Sequence, residues 1–202
     1  MLKSDILVCG IGTKGLVYPV TENKKIVLEY RCWANMLQRC MESYKHIYPT
    51  YEGIQCVDSF KYYPYFYEWC NRQIGFGNTD EKGKVWQLDK DLLIKGNKLY
   101  SEDNCVFLPH KINTLLTKRQ NDRGSLPVGV SLHNMTGKYQ ANCSVGGGKT
   151  RYLGLFLSVG EAFNVYKDCK ESFIKRLANE YKHQLDPRAY EALMKYTVEI
   201  TD

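Results

Sequence analysis

From Gly129 onward the apolar residues change their period, and that change constrains the fold more than any other feature of the chain. Gly129-Val130-Ser131-Leu132-His133, then Tyr139 to Val145, then Arg151 to Phe156 alternate apolar and polar positions, with glycine-containing stretches between the runs. A period of two puts alternate side chains on opposite faces, which predicts three antiparallel strands joined by turns. Immediately afterwards Ala162, Tyr166, Cys169, Phe173 and Leu177 recur at helical spacing, with Lys167, Lys170, Lys175 and Arg176 assigned to the polar side. Asp186-Pro187 then pairs a capping residue with a proline suited to the first helical position, which predicts a short closing helix within 184–202.

Composition sets the class of partner. The 202 residues suffice for one large domain or a few small ones, and 25% charged with 44% apolar residues is ordinary for a folded chain. The net charge of +6 has the sign expected for a polyanion partner. The first residues, Met1 to Cys9, contain an apolar run too short for a signal peptide, and no stretch approaches a membrane span. A cytoplasmic chain with reduced thiols and no membrane partner is therefore expected. None of the 8 cysteines forms a Cys-x-x-Cys pair, so no structural zinc is expected.

Upstream of the strand region three segments separate. Residues 1–30 read as short strands and turns. Their Gly10-x-Gly12-x-x-Gly15 matches a dinucleotide fingerprint in spacing only, because no suitable helix follows. From Cys32 a helix is predicted, with Trp33, Met36, Leu37 and Cys40 on one face and Gln38, Arg39 and Glu42 on the other. Pro49 stops that pattern. A second helix is predicted from Tyr62 to Arg72, its aromatics turned into a core. Residues 84–117 read as strand, long loop, strand, helix: Lys84–Leu88, then Cys105–Leu108, then a helix that Pro109 begins. Residues 118–127 form a basic linker ending in Gly and Pro. Gly146-Gly147-Gly148-Lys149-Thr150 imitates the end of a phosphate-binding loop, but Cys143 stands where its first glycine is needed, so a hairpin turn is expected, with Lys149 near phosphate.

Within 31–117 the run Leu88-Asp89-Lys90, the loop with Gly96-Asn97, Tyr100-Ser101-x-x-Asn104-Cys105 and the helix bearing His110 and Asn113 resemble the HNH (His-Me finger, ββα-metal) nucleases of bacteriophages. Trp33 to Cys40 and Tyr51-x-Gly53 resemble the flank of the same proteins. The resemblance covers about half of the chain. It implies a ββα-metal finger in which Asp89 and Asn113 are ligands to one magnesium or manganese ion, with His110 an additional ligand or phosphate contact. It makes Asn104 the residue that positions the general base. A hard cation of this kind takes oxygen ligands and keeps several waters.

Lys90 departs from that pattern, because it occupies the slot of the histidine that activates water. A protonated lysine cannot accept a proton, and a neutral one needs a pKa lowered through burial or a neighbouring cation. Three outcomes stay open at this point: Lys90 is a tuned base, another group or metal-bound hydroxide does the work, or the finger holds DNA without cutting it.

Residues 128–183 resemble the apetala/ethylene-response type of DNA-binding domain. The carrying motifs are Gly129-Val130, Gly137-Lys138-Tyr139-x-Ala141, Leu153-Gly154-x-Phe156 and Glu161-Ala162-Phe163-x-x-Tyr166. The resemblance implies a three-stranded antiparallel sheet packed on one long helix, its outer face laid into the major groove. Val130, Leu132, Tyr139, Ala141, Cys143 and Val145 would face the helix. Ser131, His133, Gln140, Asn142 and Ser144 would face DNA with Thr150 and Tyr152. Lys111, Lys118, Arg119 and Arg123, with Lys138 and Lys149, would follow the phosphate backbone.

The sequence thus sets out an α+β protein in the host cytoplasm of a phage infection, acting on double-stranded DNA as a homing endonuclease that nicks as a monomer, with no small-molecule cofactor. Two other readings accompany it. One is a non-catalytic DNA-binding protein on the same modules. The other is a phage protein that holds a host factor through its Tyr-rich N-terminal half, the 16 tyrosines being unusual for this length.

Overall fold

The computed structural model describes residues 7–117, 125–146 and 148–202. The fold is mixed α+β, with six α-helices and four small sheets among the described residues. Two compact units divide it. One takes in the chain up to Thr79 together with Val85–Phe107; the other takes in Asp80–Lys84 and everything from Leu108 onward. The expected nuclease segment, 31–117, and this division cut the chain at different places.

The first unit begins with a hairpin of β1 (Thr21–Glu22) and β2 (Lys25–Ile26), whose turn residues Asn23 and Lys24 both adopt positive φ, as a turn matching the strand twist requires. Helices α1 (Leu28–Cys40) and α2 (Glu42–Ile47) follow, then β3 (Gln55–Cys56) and α3 (Tyr63–Asn71). The spacing of apolar positions explains the core. Trp33, Met36 and Leu37 of α1 meet Phe66, Trp69 and Cys70 of α3 around Phe60, all of them buried. The Trp33 indole N–H donates to the Phe60 carbonyl at 2.7 Å, so the one polar atom of that ring is satisfied in place. The Phe60 and Phe66 rings meet edge-on at 5.2 Å. These aromatics are core, not an exposed stacking surface.

Gly12 has a packing cause. A Cβ added to Gly12 would lie 2.2 Å from Leu37 Cδ1 and 2.8 Å from Trp33 Cζ2. The segment therefore passes against α1 where no side chain fits, and no nucleotide is needed to explain it.

Strands β4 (Gln87–Asp89), β5 (Leu99–Tyr100) and β6 (Val106–Leu108) follow. β4 pairs with β6, while β5 runs parallel to β3, with Gln55 opposite Leu99 and Cys56 opposite Tyr100. The chain between β4 and β5 is thereby held at both ends, which positions the residues treated below.

In the second unit, α4 (His110–Leu116) precedes a three-stranded antiparallel sheet of β7 (Val130–His133), β8 (Lys138–Ser144) and β9 (Thr150–Phe156), in that order. α5 (Val159–Glu180) packs on this sheet and α6 (Pro187–Met194) packs on α5. Ser158 and Glu161 cap α5 reciprocally: each side chain accepts from the other's backbone N–H, at 3.2 and 3.3 Å. Asp186 caps α6 by accepting from Arg188 N–H at 2.8 Å, with Pro187 in the first turn, as its sequence predicts.

The core between sheet and helix joins Val130, Ala141 and Cys143 to Ala162, Phe163 and Tyr166, with Val198 closing one end. Gly129 makes the close approach possible. It has φ +79°, and a Cβ there would lie 2.1 Å from Tyr166 Cδ2. Two expectations need correction. Leu132, on the same side of β7 as buried Val130, is not covered by the helix but 51% exposed, because α5 lies mainly across β8 and β9 and leaves the edge strand β7 largely uncovered. Lys170 is not on a solvated face but buried, one turn from Tyr166 and one from Ile174.

Candidate metal and DNA site

Asp89 ends β4 and is buried, at 8% exposure. The strand's exit turns sharply, so that Asp89 Oδ1 accepts from two following backbone N–H groups, Asp91 at 3.1 Å and Leu92 at 2.8 Å. Burial, reinforced by the neighbouring Asp91 charge, pushes the Asp89 carboxyl up to about 6. Its hydrogen bonds all fall on Oδ1; Oδ2 has no partner among the described residues. A costly buried carboxylate with one oxygen uncommitted is a chemically suitable ligand for a hard divalent ion.

Lys90 is also 8% exposed and sits among three groups that suit a cation. Its Nζ donates to the Asn97 carbonyl at 3.1 Å, lies 3.5 Å from Asp91 Oδ2, and stands 5.8 Å from the centre of the Tyr100 ring. Tyr100 is held in turn by Arg39, whose Nη1 donates to the phenol oxygen at 3.2 Å. Burial nevertheless raises the Tyr100 phenol above its ordinary range, so it stays neutral.

Asn97 ties the loop together. Its side-chain amide donates to the Lys90 carbonyl at 2.7 Å and the Leu99 carbonyl at 2.8 Å, and its Oδ1 accepts from Leu99 N–H at 3.2 Å. Asn104 joins the same cluster, donating to Asn97 Oδ1 at 3.4 Å and Leu99 O at 3.5 Å. Asp89, Lys90, Asn97 and Asn104 thus form one connected loop structure in the first unit. Sequence reasoning assigned no role to Asn97, Tyr100 or Arg39. The asparagine after Gly96 was the available signal, since that pair marks a turn whose amide can bond its own backbone.

Asn113 and His110 lie on α4 in the second unit. Asn113 is half-buried; its backbone N–H donates to Pro109 O at 3.0 Å, and its carbonyl accepts from Thr117 Oγ1 at 3.4 Å. His110 lines a cleft of about 900 Å³ together with Asp80. Backbone N–H groups, Lys84 foremost, hold the Asp80 carboxyl below the usual carboxylate range. Among the described residues no three His, Cys, Asp or Glu side chains gather as a metal-binding group.

The outer face of the sheet carries the residues expected there. Register places Ser131 opposite Gln140, Asn142 opposite Tyr152 and Ser144 opposite Thr150. The register shifts between Ala141, opposite Gly154, and Asn142, opposite Tyr152, so Leu153 is the extra residue and β9 carries the bulge at the middle of that row. Ser131, Ser144, Thr150 and Tyr152 are exposed, as are Lys138 and Lys149, while Gln140 and Asn142 are half-buried. His133 is half-buried, with Nδ1 2.8 Å from Thr136 Oγ1 in the turn. Lys111 Nζ lies 3.8 Å from Glu180. Lys118, Arg119 and Arg123 lie outside the described residues.

What the described residues define is an α+β protein with a three-stranded antiparallel sheet, and no helix among them is long and apolar enough to cross a membrane. Compared with protein-family models, with curated proteins and with solved structures, the chain gives no match.

Proposed function

We propose that this chain is a phage-type HNH endonuclease that binds double-stranded DNA and hydrolyses a phosphodiester with a divalent ion. The observation that carries the reading is Asp89: a buried carboxylate at a strand end, one oxygen fixed by backbone N–H groups and the other uncommitted. Magnesium or manganese held there would stabilise the charge developing on the phosphate and the leaving oxygen. Asn113 and His110 enter as further ligands on the sequence resemblance alone. β4, β6 and α4 follow in the chain order that a ββα-metal finger requires.

In this reading Lys90 is not the base. A proton acceptor needs a lone pair directed at water, and the Lys90 ammonium instead donates to Asn97 and faces Asp91 and the Tyr100 ring. Lys90 fixes the loop that aims Asp89, with Asn97 and Asn104 supporting it, and the proton of the attacking water goes to another group. The polar outer row of the sheet supplies the DNA contact, Gln140 and Asn142 being suited to adenine edges.

The same Lys90 contacts favour a second reading, a DNA-binding protein that has lost cleavage. Incubation of supercoiled plasmid with magnesium or manganese decides between them. Metal-dependent nicking abolished by a chelator supports the nuclease; tight duplex binding with no nicking supports the second.

A further inference from the structure

The second unit contains a cleft where α4 and α5 meet one end of the sheet, and Asn142, Ser144 and Thr150 of the outer row also line it. It measures about 900 Å³, and Lys111 of α4, Lys149 of the β8–β9 turn and Lys170 of α5 contribute to its wall, joined by Lys82, Lys84 and His110. Asp80 and Glu81 also line it, the Asp80 carboxylate held in its ionised form by the backbone N–H groups of Lys82 and Lys84, both at 2.9 Å.

Lys170 is the unusual member. It is 8% exposed and has no hydrogen-bond or ion-pair partner among the described residues. Lys167 and Arg176 on the same helix have Glu171 and Glu180, at 3.7 Å each. The groups that act electrostatically on Lys170 are the Cys143 and Cys169 thiols. Burial pushes Cys143 up to about 12, so that thiol stays protonated and supplies no countercharge. Its stem is buried while the ammonium borders the cleft, where no carboxylate of the described residues pairs with it, and a largely buried lysine without a partner is uncommon. Methionine would fill the same volume without partly desolvating a charge. The side chain that this helix keeps therefore points to an anion as its missing partner.

We propose that this cleft binds a phosphate group, anchored by Lys170 and flanked by Lys111 and Lys149. The proposal stands apart from cleavage, since it requires neither Asp89 nor a divalent ion. The phosphate belongs either to a DNA backbone or to a small free anion, and the chemistry of recognition is the same.

Thermal unfolding of the full chain, with inorganic phosphate or pyrophosphate against chloride at matched ionic strength, tests it. The native protein should rise in Tm with phosphate. Lys170→Met should unfold at higher temperature than the native chain without phosphate and lose the phosphate response, while Lys170→Arg keeps it. Lys149→Ala, at an exposed turn, should weaken phosphate binding at least threefold and guards against a misfolded Lys170 variant. A duplex without terminal phosphates separates the sources: a tenfold loss of duplex affinity in Lys170→Met indicates backbone phosphate, and unchanged duplex affinity with a lost phosphate response indicates a free anion. Equal phosphate and duplex responses in the native chain, Lys170→Met and Lys149→Ala would overturn the proposal.

Discussion

Lys90 and Asn97 hold each other reciprocally: the Lys90 ammonium donates to the Asn97 carbonyl at 3.1 Å, and the Asn97 amide donates to the Lys90 carbonyl at 2.7 Å. Each residue thereby fixes the other's backbone, and the loop between β4 and β5 is closed seven residues apart along the chain. Truncating the asparagine removes two donors and leaves two carbonyls to find water. Asn97→Ala is expected to lower unfolding stability by about 2–3 kcal/mol. Urea titration should show a lower midpoint with unchanged slope. A loss under about 0.5 kcal/mol would mean that the clamp contributes little.

Asp89 makes stability depend on pH in a definite direction. Its folded pKa, about 6, is raised above the ordinary carboxylate value. The folded state therefore holds the proton more tightly between about pH 4 and pH 6, and stability present at low pH is lost as pH rises through that window. Asp89→Asn keeps an oxygen for the Asp91 and Leu92 N–H groups and removes the charge. Without metal it should exceed the native chain in stability by about 2 kcal/mol at pH 8 and match it near pH 4. A less stable Asp89→Asn at pH 8 would show that the ionised carboxylate is favourable where it sits.

The same carboxylate ties metal binding to pH. A divalent ion needs the ionised form, so binding should release a proton and weaken progressively below pH 6. Calorimetry with manganese in two buffers of different ionisation enthalpy reads that proton. Binding that is identical at pH 5 and pH 8 would place the ion elsewhere.

Close packing of β7 against α5 depends on Gly129. Gly129→Ala meets both a positive φ and the Tyr166 ring at 2.1 Å, so a loss above about 3 kcal/mol is expected. Gly137→Ala shares the positive φ, +66°, but finds open space, and should cost only about 1 kcal/mol. Equal melting temperatures for the two variants would contradict the packing account.

On the sheet's outer face, base contacts and phosphate contacts should separate. Asn142→Ala is expected to reduce discrimination between sites by about 1–3 kcal/mol. Lys138→Ala should instead weaken binding to all duplexes alike and lower the salt slope by about 1. Competition binding over a range of salt concentrations distinguishes them, and a uniform effect of Asn142→Ala would remove it from base recognition.

Much of the second unit was legible in the sequence, because its strands alternate with a period of two and its long helix repeats apolar residues at helical spacing from Ala162 to Leu177. Periodicity does not say how far a helix covers a sheet, and so Leu132 was placed in the core although the helix does not reach it. Residue type misled at Lys170: its position four residues after Tyr166 lies on the buried row, but lysine reads as solvent-facing in any pattern. In the first unit the order Asp89, Lys90, Asn104 was visible, whereas the clamp by Asn97 and the Arg39–Tyr100 contact were not. Both depend on side-chain geometry to which local spacing is blind, the first across seven residues and the second across 61.

The central claim is that Asp89 supports metal-dependent cleavage while Lys90 serves as a fixed cation. Plasmid nicking with manganese, by the native chain, Asp89→Ala and Lys90→Arg, each checked for folding, tests it most directly. The account predicts nicking by the native chain, none by Asp89→Ala, and activity within about tenfold of native for Lys90→Arg, since arginine keeps the charge and can never act as a base. No nicking by the native chain, or a Lys90→Arg variant as inactive as Asp89→Ala, would contradict it.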